Sequence, residues 1–123
     1  MEVRDVPETS MGLVKARDRE GWLALFAEDA MIEDPVGPAP WDPEARGQRG
    51  KAEIAAFHDM FSAMQDGFDF EVHEKFVCGR EVAVLVSMHI TGKDGAQQTT
   101  RAINIYRLGD DGRIASLRSF WNG

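Results

Sequence analysis

The spacing of apolar residues along the chain changes once, from a helical repeat to strict alternation, and the change falls near Gly67. Before it, Ser10, Met11, Leu13 and Val14 recur at intervals of three or four and predict a helix from Pro7 to about Arg17. Pro7 suits its first turn, and Glu8 sits near its positive end. Residues 1 to 6 are expected to be loose, and Gly12 weakens the helix. Asp18 is placed to cap a second helix, whose stripe of Trp22, Leu23, Leu25 and Phe26 stops near Glu28. A short strand around Met31 to Glu33 follows. Pro38 to Gln48 (PAPWDPEARGQ) has no period and reads as a loop. From Gly50, KAEIAAFHDMFSAM predicts the third and longest helix, with Ile54, Phe57, Met60, Phe61 and Met64 on one face and Gly67 as its stop.

Alternation then takes over in four runs, Phe68 to Cys78, Glu81 to Thr91, Gln97 to Leu108 and Arg113 to Trp121. Gly79-Arg80, Lys93-Asp94-Gly95 and Asp110-Asp111-Gly112 between them are hairpin signals, so the runs predict an antiparallel meander. Three helices and four or five strands make an α+β fold, the helices laid on one face of a curved sheet.

Strand parity picks out a possible pocket. Thr100, Ala102, Asn104 and Tyr106 share one face, and Arg101, Ile103, Ile105 and Arg107 the other. Leu117, Ser119 and Trp121 share a face of the last strand, as do Val84, Val86 and Met88 on the second long strand. Taken singly, the apolar ones are ordinary core. Together they outline an apolar cleft with few polar groups, the usual composition of a small-molecule site. Asn104 on that face either makes a structural hydrogen bond within the sheet or offers its amide to a ligand. Asp34, which precedes Pro35 and is therefore held extended, lies between apolar Ile32 and Val36. It is a candidate base, or else a strand-ending Asp in a solvated turn. Trp41 is a loop anchor or an aromatic lid, and His58 a half-exposed helix-edge residue or a pocket group.

Composition narrows the classes. The 123 residues have room for one domain, expected to span 1–123, and 43% hydrophobic content is ordinary for a globular chain. With 21 acidic against 14 basic residues and no block of Lys or Arg, the net charge of −7 argues against nucleic-acid or membrane partners and for small molecules or other subunits. Cys78 has no partner for an intrachain disulfide, and MEVRDVPETS lacks the apolar core of a signal peptide. A cytoplasmic protein is expected. His58, His73 and His89 have no metal-ligand spacing, and no phosphate or dinucleotide fingerprint is present, so neither metal nor cofactor is expected.

Ala24-Leu25-Phe26-Ala27, Asp29-Ala30 and Glu33-Asp34-Pro35-Val36-Gly37, preceded by Asp18-Arg19-Glu20-Gly21-Trp22, resemble the corresponding segment of bacterial ketosteroid isomerases and their SnoaL-like relatives in the nuclear transport factor 2-like superfamily. The resemblance implies a cone-shaped α+β barrel whose open end is a pocket, and a proton-shuttling role for Asp34. That family's oxyanion hole is a Tyr and a protonated Asp. Asn104 matches the acid's position, whereas Ser10 stands where the tyrosine would be. Tyr106, inward by parity, is then the nearest second donor. Leu117 and Trp121 match pocket positions, and His58 falls near a supporting tyrosine. The expected ligand is flat and apolar, such as a steroid, held by Val86, Met88, Leu117, Trp121, Phe57 and Trp41. The expected activity is isomerisation of a ketosteroid or similar ketone through a dienolate, weakened by the missing tyrosine. Binding of a steroid or polyketide-like ligand without turnover, or a polyketide cyclase activity, are the alternatives. Epoxide hydrolases of the superfamily use an Asp-Arg-Asp set that Arg101 alone does not recreate. The family commonly dimerises through the convex sheet face, so a homodimer through Ser87, His89, Ile103, Ile105 and Phe120 is expected.

Overall fold

The structure, a computed structural model, describes residues 1–122. After a single 3-10 turn at Val3–Asp5 come helices α1 (Val6–Lys15) and α2 (Arg19–Ala24), strands β1 (Phe26–Glu33) and β2 (Gln48–Arg49), and helix α3 (Lys51–Met64). Strands β3 (Gln65–Cys78), β4 (Glu81–Gly92), β5 (Gln97–Leu108) and β6 (Ile114–Trp121) complete the chain. The strands form one sheet in the order β2-β1-β6-β5-β4-β3. Among the described residues, only the β1–β6 pair is parallel. The sheet is curved and unclosed, with β2 and β3 at its ends, and the helices cover its concave face, the cone-like fold that the sequence implies.

The hairpin signals give the expected meander of β3 to β6, and Asp18 caps α2, its carboxylate accepting from Gly21 N at 2.9 Å. Three boundaries differ. The first residues are not loose: they form the 3-10 turn, and Val6 is completely buried in the core. Helix α2 ends at Ala24 rather than near Glu28, because Leu25 already accepts a sheet bond from Ile114 N at 2.8 Å and Phe26 pairs with Ile114. Phe26, Ala30 and Ile32 are thereby buried as strand residues. Finally, α3 passes directly into β3 at Gln65, without waiting for Gly67, and Met64 is left 54% exposed.

The main core joins Val6, Trp22, Phe26, Ile32, Ile54, Val82, Val84, Tyr106, Ile114 and Leu117. A smaller cluster of Met11, Val86, Met88 and Ala102 lies under α1. On the convex face Ile103 and Phe120, paired across β5 and β6, are exposed, and Ile105 is half-buried. Ser87 and His89 on that face are held by His73 and by Glu71 with Thr99, respectively. No helix among the described residues is long and apolar enough to cross a membrane.

Candidate active site

Between the concave face, α1, α3 and the loop after β1 lies a cavity of about 750 Å³. Ser10, Asp34, Trp41, Phe57, His58, Met88, Asn104, Tyr106, Leu117 and Trp121 all line it. Of the residues expected there, only Val86 does not. It has the inward parity, but Met11 of α1 packs over that part of the sheet and buries Val86 completely in the smaller cluster.

Asp34 follows the last residue of β1, its bond to Pro35 is cis, and Val36 N is tied to Ser119 O at 2.8 Å. The end of β1 is thus held against β6, and Asp34 faces the cavity rather than a solvated turn. Burial raises its pKa from 3.8 to about 6, against the opposing effect of the Trp121 indole, which donates to Asp34 Oδ1 at 2.9 Å. The same indole N–H lies 3.0 Å from Ser119 Oγ. The Ser119 hydroxyl is also near the Asp34 carboxylate, but its single proton is committed to Asn104 Oδ1 at 2.6 Å.

Asn104 pairs with Ser119 across β5 and β6 and is buried. Because Ser119 holds its carbonyl oxygen, the amide nitrogen is turned inward, with Nδ2 3.5 Å from Tyr106 Oη. Burial pushes the Tyr106 phenol above its ordinary range, so it stays a neutral O–H donor, with Ser10 beside it on α1. Two neutral donors therefore share the cavity with one shifted carboxylate. This arrangement can stabilise oxygen charge without a second acid.

His58 is buried, contrary to a helix-edge position. Its ring lies 5.1 Å from Trp22, and Nδ1 is 3.5 Å from Ser62 Oγ. Trp41 lines the cavity 6.2 Å from the Trp121 ring, and its Nε1 donates to Asp34 O at 3.3 Å. Arg101 is exposed on the opposite sheet face and cannot serve this cavity. Strand parity places Ser119 inward yet gives it no role, since its bond to Asn104 depends on the register of two strands. Met11, Val14, Trp22, Met60, Phe61, Gln65 and Phe68 also line the cavity. For Met11, Val14, Trp22, Met60 and Phe61 the signal was the helical apolar face, which does not distinguish core from pocket wall; Gln65 and Phe68 lie on β3, where no helical stripe marks them.

A family profile for the SnoaL-like domain matches residues 8–117. The chain belongs to the SnoaL-like family. Among its curated relatives is a steroid Δ-isomerase of Nocardioides simplex, 33% identical over 101 residues, or 80% of this chain and 72% of that protein. Another is the epoxide hydrolase LasB of Streptomyces lasalocidi, 29% identical over 113 residues, of whose length this chain spans only 37%. Among solved structures, a Δ5-3-ketosteroid isomerase from Mycobacterium sp. is 34% identical with a TM-score of 0.88, covering 99% of this chain and 95% of that one. A Mycobacterium tuberculosis protein in complex with estradiol-17beta-hemisuccinate is 32% identical with a TM-score of 0.89, at the same coverage. The proteins this chain is similar to thus include both a ketosteroid isomerase and a protein solved in complex with estradiol-17beta-hemisuccinate.

Proposed function

We propose that this SnoaL-like protein is a ketosteroid isomerase-like enzyme acting on a ketosteroid or similarly apolar ketone. One observation carries the reading: the Asp34 carboxylate, its pKa raised to about 6, shares a largely apolar cavity with the inward-turned amide of Asn104. Asp34 removes a proton from the carbon between the carbonyl and the double bond, and the electron pair moves onto the carbonyl oxygen. The Asn104 amide and the Tyr106 hydroxyl donate to that oxygen while it carries charge. Asp34 then returns the proton to the far end of the dienolate, leaving the conjugated ketone. The Trp121 N–H holds the carboxylate in place, and Leu117, Met88, Phe57 and Trp41 exclude water from the skeleton. In the absence of the family's tyrosine, turnover is lower by roughly two orders of magnitude than a complete oxyanion hole would give.

The test is absorbance-monitored conversion of a 5-ene-3-ketosteroid to its 4-ene isomer. We expect the parent to convert it, Asp34→Asn to be inactive, and kcat/KM to fall as pH drops through about 6, where Asp34 protonates. An Asp34→Asn variant as fast as the parent would sink the mechanism. A second reading, steroid binding without turnover, is favoured by Ser10 at the tyrosine position and by a computationally designed 17-OHP binder that is 30% identical with a TM-score of 0.91. Rapid conversion would dismiss it. We also propose that the chain forms a homodimer through the convex sheet face.

A further inference from the structure

The cavity carries a carboxylate at each end and no fixed positive charge between them. Asp34 stands with Asn104 at one end; Gln98 lies about 20 Å further along β5, beside the β4–β5 hairpin. There Asp94, Gln97 and Gln98 line the opposite, exposed rim. Asp94 Oδ1 accepts from Ala96 N at 3.0 Å, so the turn itself holds the carboxylate at the rim. Among the described residues, no Lys or Arg lines the cavity. Two cations close to the rim are committed elsewhere: Lys93 of the hairpin pairs with Asp66 at 2.8 Å, and Arg17 donates to Gln65 Oε1 at 3.3 Å and to Ser62 O at 3.0 Å. His58, the basic side chain of the lining, has Nδ1 beside Ser62 and 3.6 Å from Asp59 Oδ1.

We propose that the Asp94 rim selects the charge of the ligand's far end, accepting neutral or cationic tails and rejecting carboxylate, sulfate and phosphate tails. The proposal rests on the reading of Asn104 as the group that receives the reacting carbonyl, since that reading directs a substituent on a steroid's five-membered ring toward the hairpin. An anionic tail there meets a charge of its own sign, with no Lys or Arg in the wall to offset it, whereas an ammonium tail meets an acceptor of opposite charge. Gln97 and Gln98 add amides, which both donate and accept and so leave the sign of the selection to Asp94. The discrimination acts on binding, not on the proton transfer.

The experiment compares three unreactive 4-ene-3-ketosteroids at pH 7.5 and low salt: the hemisuccinate, butyrate and 4-aminobutyrate esters of testosterone, whose tails are similar in length and differ in charge. Dissociation constants are read from quenching of tryptophan fluorescence, since Trp41 and Trp121 line the cavity. The parent is expected to bind the aminobutyrate about three- to tenfold more tightly than the hemisuccinate, with the butyrate between them, and the ratio should shrink in high salt. Asp94→Asn keeps an acceptor for Ala96 N and removes the charge, so the ratio should fall at least twofold; Gln98→Lys should invert it. Because the net charge of −7 also disfavours anions, Asp111→Asn in the turn at the other end of β5 serves as the control and should leave the ratio unchanged. Equal binding of the charged esters by the parent, or the same ratio in Asp94→Asn as in Asp111→Asn, overturns the rim. If testosterone binds and none of the esters does, the rim is struck alone. Failure of testosterone itself to bind overturns the steroid reading together with the rim, and the ratio is read whether or not the protein turns steroids over.

Discussion

Asp34 combines its proposed use with a cost to stability. Its native pKa of about 6 lies above the ordinary 3.8, so the folded state binds the proton more tightly than the unfolded chain does. The associated stabilisation is complete below about pH 4 and is lost as pH rises through about 6. At neutral pH an ionised carboxylate is held in a poorly solvated place. Asp34→Asn removes the charge and keeps an acceptor for Trp121, so it should stabilise the protein at pH 7.5 by on the order of 2 kcal/mol, with the gain fading toward pH 4. Urea unfolding at the two pH values checks this; equal stability at pH 7.5 would mean that the carboxylate is well solvated. Ser119 acts through another residue. Its 2.6 Å bond fixes which end of the Asn104 amide faces the cavity, so Ser119→Ala should lower kcat about three- to tenfold with KM little changed, and Ser119→Thr should restore it. A rise in KM at constant kcat would assign Ser119 to ligand binding instead. Asp34, Asn104, Leu117 and Trp121 were legible because an Asp before Pro and strand parity are local properties. Val86 misled for the opposite reason: parity gives a face, and only the position of α1 decides whether that face is cavity or core.

At the scale of elements, the stretch from Pro38 to Gln48 was legible as a loop but not as an ordered one. Asp42 accepts from Arg46 N at 2.9 Å and Gly47 N at 2.8 Å, which folds the loop back so that β2 pairs with Met31 and Ile32 of β1. Gly47 makes the return possible. Its φ is +73°, and a Cβ there would meet Ile32 O at 2.8 Å. Gly47→Ala should therefore destabilise the protein by about 1–3 kcal/mol and loosen Trp41 over the site. A denaturation midpoint unchanged from the parent would show that the loop adapts at no cost. Helices α1 and α3 were legible from their periodicity and start signals, since both carry one clear apolar stripe. The α2–β1 junction was not. Leu23, Leu25 and Phe26 fit a helical stripe, and only the partner strand β6, which lies far along the chain, draws Phe26 into the sheet.

The whole molecule presents two faces of one curved sheet, and inward and outward residues alternate along the same strands. Asn104 lines the cavity while its neighbour Ile103 is 46% exposed on the convex face, opposite Phe120, which is 38% exposed. The meander and its alternation were legible because hairpin turns join neighbours in sequence; the parallel β1–β6 contact and the curvature were not, because both join distant segments. An exposed apolar pair bordered by Arg101, Arg107 and Arg118 suits an isologous interface, in which each patch covers its own copy. A dimer is therefore expected at micromolar concentration by sedimentation equilibrium. Ile103→Glu would set like charges against each other across the two-fold axis and should yield monomers. Because residue 103 points away from the cavity, steroid binding by that monomer should stay within about threefold of the parent, a free-energy change of only about 0.6 kcal/mol. A monomeric parent would remove the interface, and a dimeric Ile103→Glu variant would move it to another surface.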